Sequence, residues 1–250
     1  MVLGNIREKE FKLLDILKSS WFVYWHTIPS IIPIVLIIHL PRNILQSYIA
    51  FLTLQSRMRG LNKGLLMLPE AIYLLVFGIL PAIAIAFIVK ERFDNRVLTF
   101  GQALKKAVSR WISGLGTHII QILILAGLTL LLVIPGLVWL VYYIFAMPVV
   151  ALKGIGGKTA LNYSKSLVKG RWWKTFGLMI LFGIFQAIMT KSIQIAFDIL
   201  LGNVVGDILA AVMVNIVSAY SIVAIVVYFL NLDYLKNRES DFIDNSKDRS

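Results

Sequence analysis

The groups in this sequence that bear chemistry are three histidines, a lysine loop rich in glycine and a scatter of carboxylates. A helical metal site needs ligands about one turn apart, with a carboxylate in reach. His26, His39 and His118 have no such neighbours, so each is expected near an interface or hydrogen-bonded between helices. The stretch Lys153-Gly154-Ile155-Gly156-Gly157-Lys158-Thr159 invites comparison with a phosphate-binding loop. That loop places a glycine, four residues, then Gly-Lys-Ser/Thr. The first glycine would fall at Leu152, and no parallel strand precedes it, so nucleotide binding is not expected. The glycines instead predict a chain that leaves one helix and enters the next.

Of 13 acidic residues, only Glu70, Asp198 and Asp207 lie with the apolar runs or their outer connections. A hydrolase built on paired carboxylates is therefore unsupported. Asp198 follows Lys191 by seven residues, about two helical turns, so the two share a side. A solvated pair is the simpler expectation and part of a site the alternative. The chain has no cysteine, which excludes disulfides, thiol nucleophiles and cysteine metal sites. No catalytic residue, metal ligand or cofactor is expected, and the expected protein is not an enzyme.

Polar groups inside an apolar run are functional candidates because hydrocarbon offers them no partner. His26, His118, Asp207, Asn215 and Ser218 are the candidate intramembrane positions, with Ser221 one turn beyond Ser218. An intramembrane enzyme would need Asp207, Asn215 and His118 to converge. Ala211, Asn215 and Ala219, like Gly78, Ala82 and Ala86, recur every four residues. Such stripes let helices approach closely, and packing is favoured over a transport path. Pro29 and Pro33 predict a kink.

These positions must be held by something, and composition says what. Hydrophobic residues make up 58% of the 250 and charged ones 15%, with a mean hydropathy of +0.81. A soluble domain is about 45–50% apolar and roughly 25% charged. Apolar runs at 21–40, 71–89, 112–134, 137–152, 175–191 and 208–232 predict six spanning helices, the fourth short. A piece at 193–201 is expected at the interface. The runs are continuous rather than alternating, which rules out barrel strands. Pro135-Gly136 predicts the turn between spans three and four. The fold class is thus all-α integral membrane, with a single transmembrane domain over 1–235 and a polar cytoplasmic tail over 236–250. No cleavable signal peptide is expected at the N-terminus.

Net charge is +12, which in such a chain points to anionic lipid head groups and not to nucleic acid. Twenty Lys and Arg fall on one side of the six spans and five on the other: Arg42, Arg57, Arg59, Lys63 and Lys191. The positive-inside rule then places both termini in the cytoplasm, and the absence of cysteine fits a prokaryotic cytoplasmic membrane. Phe100, Ala103, Leu104, Ala107, Val108 and Trp111 form one helical face, opposed by Gln102, Lys105, Lys106, Ser109 and Arg110. Ala160, Leu161, Ser164, Leu167 and Val168 repeat the pattern, opposed by Asn162, Lys165, Ser166 and Lys169, before Gly170-Arg171-Trp172-Trp173. Phe11, Leu14 and Leu17 lead similarly to Trp21. The chain predicts three units, each a basic amphipathic interfacial helix and a hairpin of two spans. The expected surface contacts are Lys105, Lys106, Arg110, Trp111, Lys165, Lys169, Arg171, Trp172 and Trp173. Ile44, Leu45, Tyr48, Ile49 and Leu52 predict a further helix on the outer leaflet.

From Ile134-Pro135-Gly136-Leu137 through Ala146-Met147-Pro148-Val149-Val150 to Gly157-Lys158-Thr159 and Ser164–Trp173 the sequence resembles a large family of prokaryotic six-span proteins. That family includes the membrane domain preceding some glycerophosphodiester phosphodiesterases. Tyr228-Phe229-Leu230-Asn231-Leu232-Asp233-Tyr234 resembles its span-six ending. The resemblance implies six spans but little chemistry, since the phosphodiesterase barrel needs roughly 250 residues more. The expected function is to bind, transport or organise lipids or other amphiphiles such as membrane-active peptides. A partner or scaffold subunit of a membrane complex, or a homo-oligomer, is the alternative, and an intramembrane enzyme the third.

Overall fold

The structure is a computed structural model that describes residues 4–54 and 63–247, all of its regular elements helical. Arg57, Arg59 and Arg249, counted in the charge asymmetry, lie outside the described residues. A short 3-10 turn, Gly4–Arg7, precedes ten helices: α1 Leu13–Leu54, α2 Lys63–Phe77, α3 Leu80–Phe93, α4 Phe100–Ser109 and α5 Trp111–Leu131, then α6 Val133–Tyr142, α7 Ala146–Lys153, α8 Gly157–Val168, α9 Trp172–Leu200 and α10 Val204–Lys247. Six segments are long and apolar enough to cross a membrane: Leu13–Ile49, Leu68–Phe93, Trp111–Leu131, Val133–Lys153, Trp172–Leu200 and Val204–Arg238. The chain is a multi-pass membrane protein.

Helix breaks follow backbone chemistry. A proline inside a helix lacks the N–H that would bond residue i−4 and crowds that carbonyl. Pro81 is four past Phe77, where α2 ends, and Pro135 is four past Leu131, where α5 ends. Pro148 follows the break at Tyr143–Phe145 that divides span four into α6 and α7. The turn between spans three and four therefore lies at Leu132, in extended conformation, and not at Pro135-Gly136. Pro135 occupies the first turn of α6, where its missing N–H costs nothing. Gly136 is where α6 meets α5, since a Cβ there would strike the Thr129 hydroxyl.

Three other expectations are corrected. The outer stripe from Ile44 is no separate helix, because α1 runs unbroken to Leu54. Residues 193–200 continue α9, with no glycine or proline between Lys191 and Leu200 to stop it. The segment before Trp21 is the start of α1 itself and not a distinct basic helix. The last helix also runs on through 236 to Lys247.

The core is formed by α1, α3, α7 and α10. Ile31, Ile34, Ile83, Ile85, Phe145, Tyr228 and Phe229 are fully buried there. α1 and α10 are antiparallel: Tyr24 donates to the Ile216 carbonyl at 2.8 Å and Tyr220 to the Leu17 carbonyl at 3.3 Å. Both chain ends therefore lie at one end of the bundle. α5 and α9 form the outer shell, exposing Leu123, Leu130 and Leu131 on one and Ile180, Ile184 and Ile188 on the other. Apolar exposure of this kind suits hydrocarbon.

Candidate binding cavities

At the end bearing the termini, the charges are mostly spent on the protein itself. Lys106 pairs with Glu91 at 2.8 Å, and Arg171 and Lys174 grip Glu10 at 2.7 and 2.6 Å. Burial alone would raise the Glu10 pKa, but the hydrogen bonds and charges of Lys174 and Arg171 outweigh it and hold the carboxyl below its ordinary value. Trp111 donates its indole N–H to the Val76 carbonyl at 2.6 Å and stacks on Phe77. Trp172 donates to the Val138 carbonyl at 3.3 Å and stacks on Phe176. Lys165 lies over the Trp139 ring at 4.1 Å, and the Arg110 guanidinium packs on Gly154. Of the expected surface contacts, Lys105, Lys169, Arg110 and Trp173 are exposed, and Lys106, Arg171, Trp111 and Trp172 are partly exposed and also make contacts within the bundle.

The helices α4 and α8 stand before spans three and five. Thr99 caps α4 in a reciprocal box with Gln102. α4 buries Ala103 and Ala107, leaving Phe100 and Val108 exposed. α7 is capped by Gly154 and α8 begins at Gly157, both with positive φ, so the glycines take the chain from one helix into the next. Its Ser164 enters the break in span four. The hydroxyl accepts the Phe145 N–H at 3.1 Å and donates to the Tyr142 carbonyl at 2.7 Å. A hydroxyl thus satisfies backbone groups that the break leaves open.

At the opposite end, α1, α9 and α10 enclose an open polar cup of about 590 Å³. α1 contributes Arg42, Asn43, Gln46 and Ser47; α9 contributes Lys191, Gln194 and Asp198; α10 contributes Asp207 and Asn215. Asn215 donates to the Asn43 side-chain oxygen at 3.4 Å. Asn43 is 1% exposed, and its amide nitrogen has no acceptor among the described residues. Arg42 is neutralised by Glu70 at 2.8 Å. Lys191, Asp198 and Asp207 enter no ion pair among the described residues. Lys191 and Asp198 do share a side, but about 10 Å of helix rise separates them, so both line the cup instead of forming a pair.

A second cavity of about 440 Å³ lies against the breaks in spans two and four. His118, Gln121 and Tyr143 are its polar lining beside Gly78, Met147 and Met179. His118 is therefore apart from Asp207 and Asn215, and the three do not converge. His26 is exposed and bonded to the Phe22 carbonyl at 2.7 Å, outside both cavities. Ser218 accepts from Gln186 at 2.7 Å and bonds the Val214 carbonyl, a role in helix packing. No group of three or more His, Asp or Glu among the described residues is placed to hold a metal.

The four α1 residues of the cup escaped the reading of the sequence. Their signal was present: Asn43, Gln46 and Ser47 are spaced by three and four, opposite the stripe of Ile44, Leu45 and Tyr48. No curated protein and no solved structure matches the chain. A family described as a domain of unknown function, DUF7847, matches residues 44–236, a stretch holding five of the six spans and most of both cavities, and the chain belongs to that family.

Proposed function

We propose that this protein is a non-enzymatic membrane module that binds amphiphilic molecules. The cup takes the polar head and the apolar flanks of α9 and α10 carry the tail. The observation that carries this reading is the join between the two surfaces. Polar Asn43, Lys191 and Asn215 share the cup with Ile195, Ala210, Ala211 and Val214. Ile188 and Ile184, on the same stripe of α9 as Ile195, continue it as exposed apolar surface. A site with one wet and one greasy side fits neither a soluble metabolite nor a bare hydrocarbon.

In this reading the end bearing the termini faces the cytoplasm. There α4 and α8 lie at the membrane surface, and exposed Lys105, Lys169 and Trp173 meet anionic head groups. The test is native mass spectrometry of the purified full chain, released from mild detergent. Bound amphiphiles should persist on the wild type and be lost from Ala211→Trp, which fills the cup. A wild type that retains none, or an Ala211→Trp protein that retains as much, overturns the proposal.

A second reading, a subunit of a membrane complex, draws support from the α9–α10 connection. Ile199, Leu200 and Val205 are 79%, 74% and 60% exposed there. Ile199 stands 27 residues from Trp172, about 40 Å of helix against a hydrocarbon thickness of about 30 Å. Co-purification of a stoichiometric partner, lost on Ile199→Lys, is its expected result.

A further inference from the structure

The polar groups of the cup are layered by charge. The hydrogen bond from Gln186 to Ser218 sets the antiparallel register of α9 and α10. Counting outward from that pair, Lys191 on α9 comes level with Met213, within one turn of Asn215. Asp198 comes level with Gly206 and so stands beside Asp207. Asn43 is tied to Asn215 and belongs to the lower layer. The floor thus holds the Lys191 ammonium and the Asn43 amide nitrogen, a buried donor without an acceptor among the described residues. The rim, about 10 Å further out, holds the carboxylates of Asp198 and Asp207. Donors lie below and acceptors above, in a cavity of about 590 Å³.

Resting on the reading of the cup as an amphiphile site, we propose that its ligand carries a phosphoethanolamine head: a phosphodiester seated on the floor and a primary ammonium between the two rim carboxylates. An anion on the floor supplies the acceptor that the Asn43 amide lacks and a counter-charge for Lys191. A carboxylate rim repels a purely anionic head. It also selects against trimethylammonium, which has no N–H to give and is bound by aromatic faces. No aromatic residue lines the cup among the described residues. The layering follows a lipid's own order, with phosphate next to hydrocarbon and ammonium outermost, so the tails leave the floor along Ile188 and Ile184.

The experiment titrates the purified full chain in detergent with phosphatidylethanolamine, phosphatidylcholine and phosphatidylglycerol, and separately with water-soluble glycerophosphoethanolamine. Phosphatidylethanolamine should bind at least about tenfold more tightly than the other two, the scale of one charge-assisted hydrogen-bonded pair. Asp198→Asn with Asp207→Asn should abolish the preference over phosphatidylcholine. Lys191→Gln should weaken both lipids alike. All three side chains are exposed, so the variants keep the wild-type melting temperature. Equal binding of the three lipids overturns the phosphoethanolamine head and leaves the amphiphile reading standing. Binding of none overturns both. Glycerophosphoethanolamine binding as tightly as the lipid keeps the head-group chemistry and overturns the amphiphile reading.

Discussion

The side-chain oxygen of Asn231 accepts the backbone N–H of Phe11 at 2.8 Å, joining residues 220 apart in sequence. The amide nitrogen of Asn231 donates to the carbonyls of Ile6 and Lys9, both at 2.8 Å. One fully buried side chain therefore satisfies three backbone groups of the N-terminal arm and fixes it to α10. Two residues on, Asp233 accepts from the Tyr163 hydroxyl at 2.5 Å and pairs with Lys153 at 2.8 Å, tying α8 and α7 to the same stretch. Burial and the adjacent Asp233 carboxylate both push the Tyr163 pKa up, so the phenol stays a donor. The polar residues in the ending of span six are thus clamps between elements.

Asn231→Ala should take the side-chain partner from three backbone groups, two of them buried. Each unsatisfied group costs about 1–3 kcal/mol, and release of the arm limits the total to roughly 2–4 kcal/mol. The melting temperature in detergent should fall by several degrees, and the arm should become sensitive to protease. Asn231→Asp keeps the acceptor for Phe11 but loses both donations, so it should be intermediate only if the three bonds contribute separately. An unchanged melting temperature for the alanine variant would refute the clamp.

Ser164→Ala removes the hydroxyl that serves the break in span four. Phe145 N–H and Tyr142 C=O then both lose the hydroxyl that bonds them. The expected loss is about 1–3 kcal/mol, much of it the cost of an unmet N–H in an apolar setting. Hydrogen exchange localises the effect: protection should drop at Phe145 and its neighbours and stay unchanged in the α1–α10 core. Uniform loss of protection would show that the serine does not act at the break.

Glu10 gives the end bearing the termini a pH dependence of known sign. Its folded pKa lies below the unfolded value, because the contacts to Lys174 and Arg171 outweigh burial. The stability it contributes is fully present above the ordinary carboxylate pKa and is lost as pH falls through the folded pKa. Glu10→Gln should therefore lower the melting temperature at neutral pH and flatten its fall in acid. The gap between wild type and variant should close as the acid limit is approached. A gap that stays constant with pH would mean that the carboxylate charge is not involved.

Six spans were legible because a run of about 20 apolar residues has few other uses. Their breaks were less so. Pro81, Pro135 and Pro148 follow helix ends, while Pro29, Pro33, Pro41 and Pro69 lie within continuous helices. The residue type is the same, and only neighbours supplied by the fold decide whether the freed carbonyls are tolerated. The cup was half legible. Asp207 and Asn215 announce themselves as polar groups bounding or interrupting an apolar run. Arg42, Asn43, Gln46 and Ser47 lie past the end of the first run, where polarity is unremarkable, and acquire meaning only because α1 continues to Leu54 alongside α10. Lys106, Arg171, Trp111 and Trp172 have types that suit a membrane surface, and the partners they also find within the bundle are not legible from type alone.

The placement of the basic end in the cytoplasm rests on charge, and the chain's lack of cysteine makes it directly testable. Asn162 on α8 is exposed at the end bearing the termini, and Val205 is 60% exposed at the far end. In intact cells a membrane-impermeant maleimide should label Val205→Cys at once and Asn162→Cys only after permeabilisation. Each variant carries a single thiol, so the signal has one source. The opposite pattern would turn the molecule over and put the cup in the inner leaflet. The layering of Lys191 and Asn43 beneath Asp198 and Asp207 would survive that inversion, since a lipid presents its phosphate toward hydrocarbon in either leaflet. Labelling therefore decides which leaflet supplies the ligand and leaves its head-group chemistry to the titration.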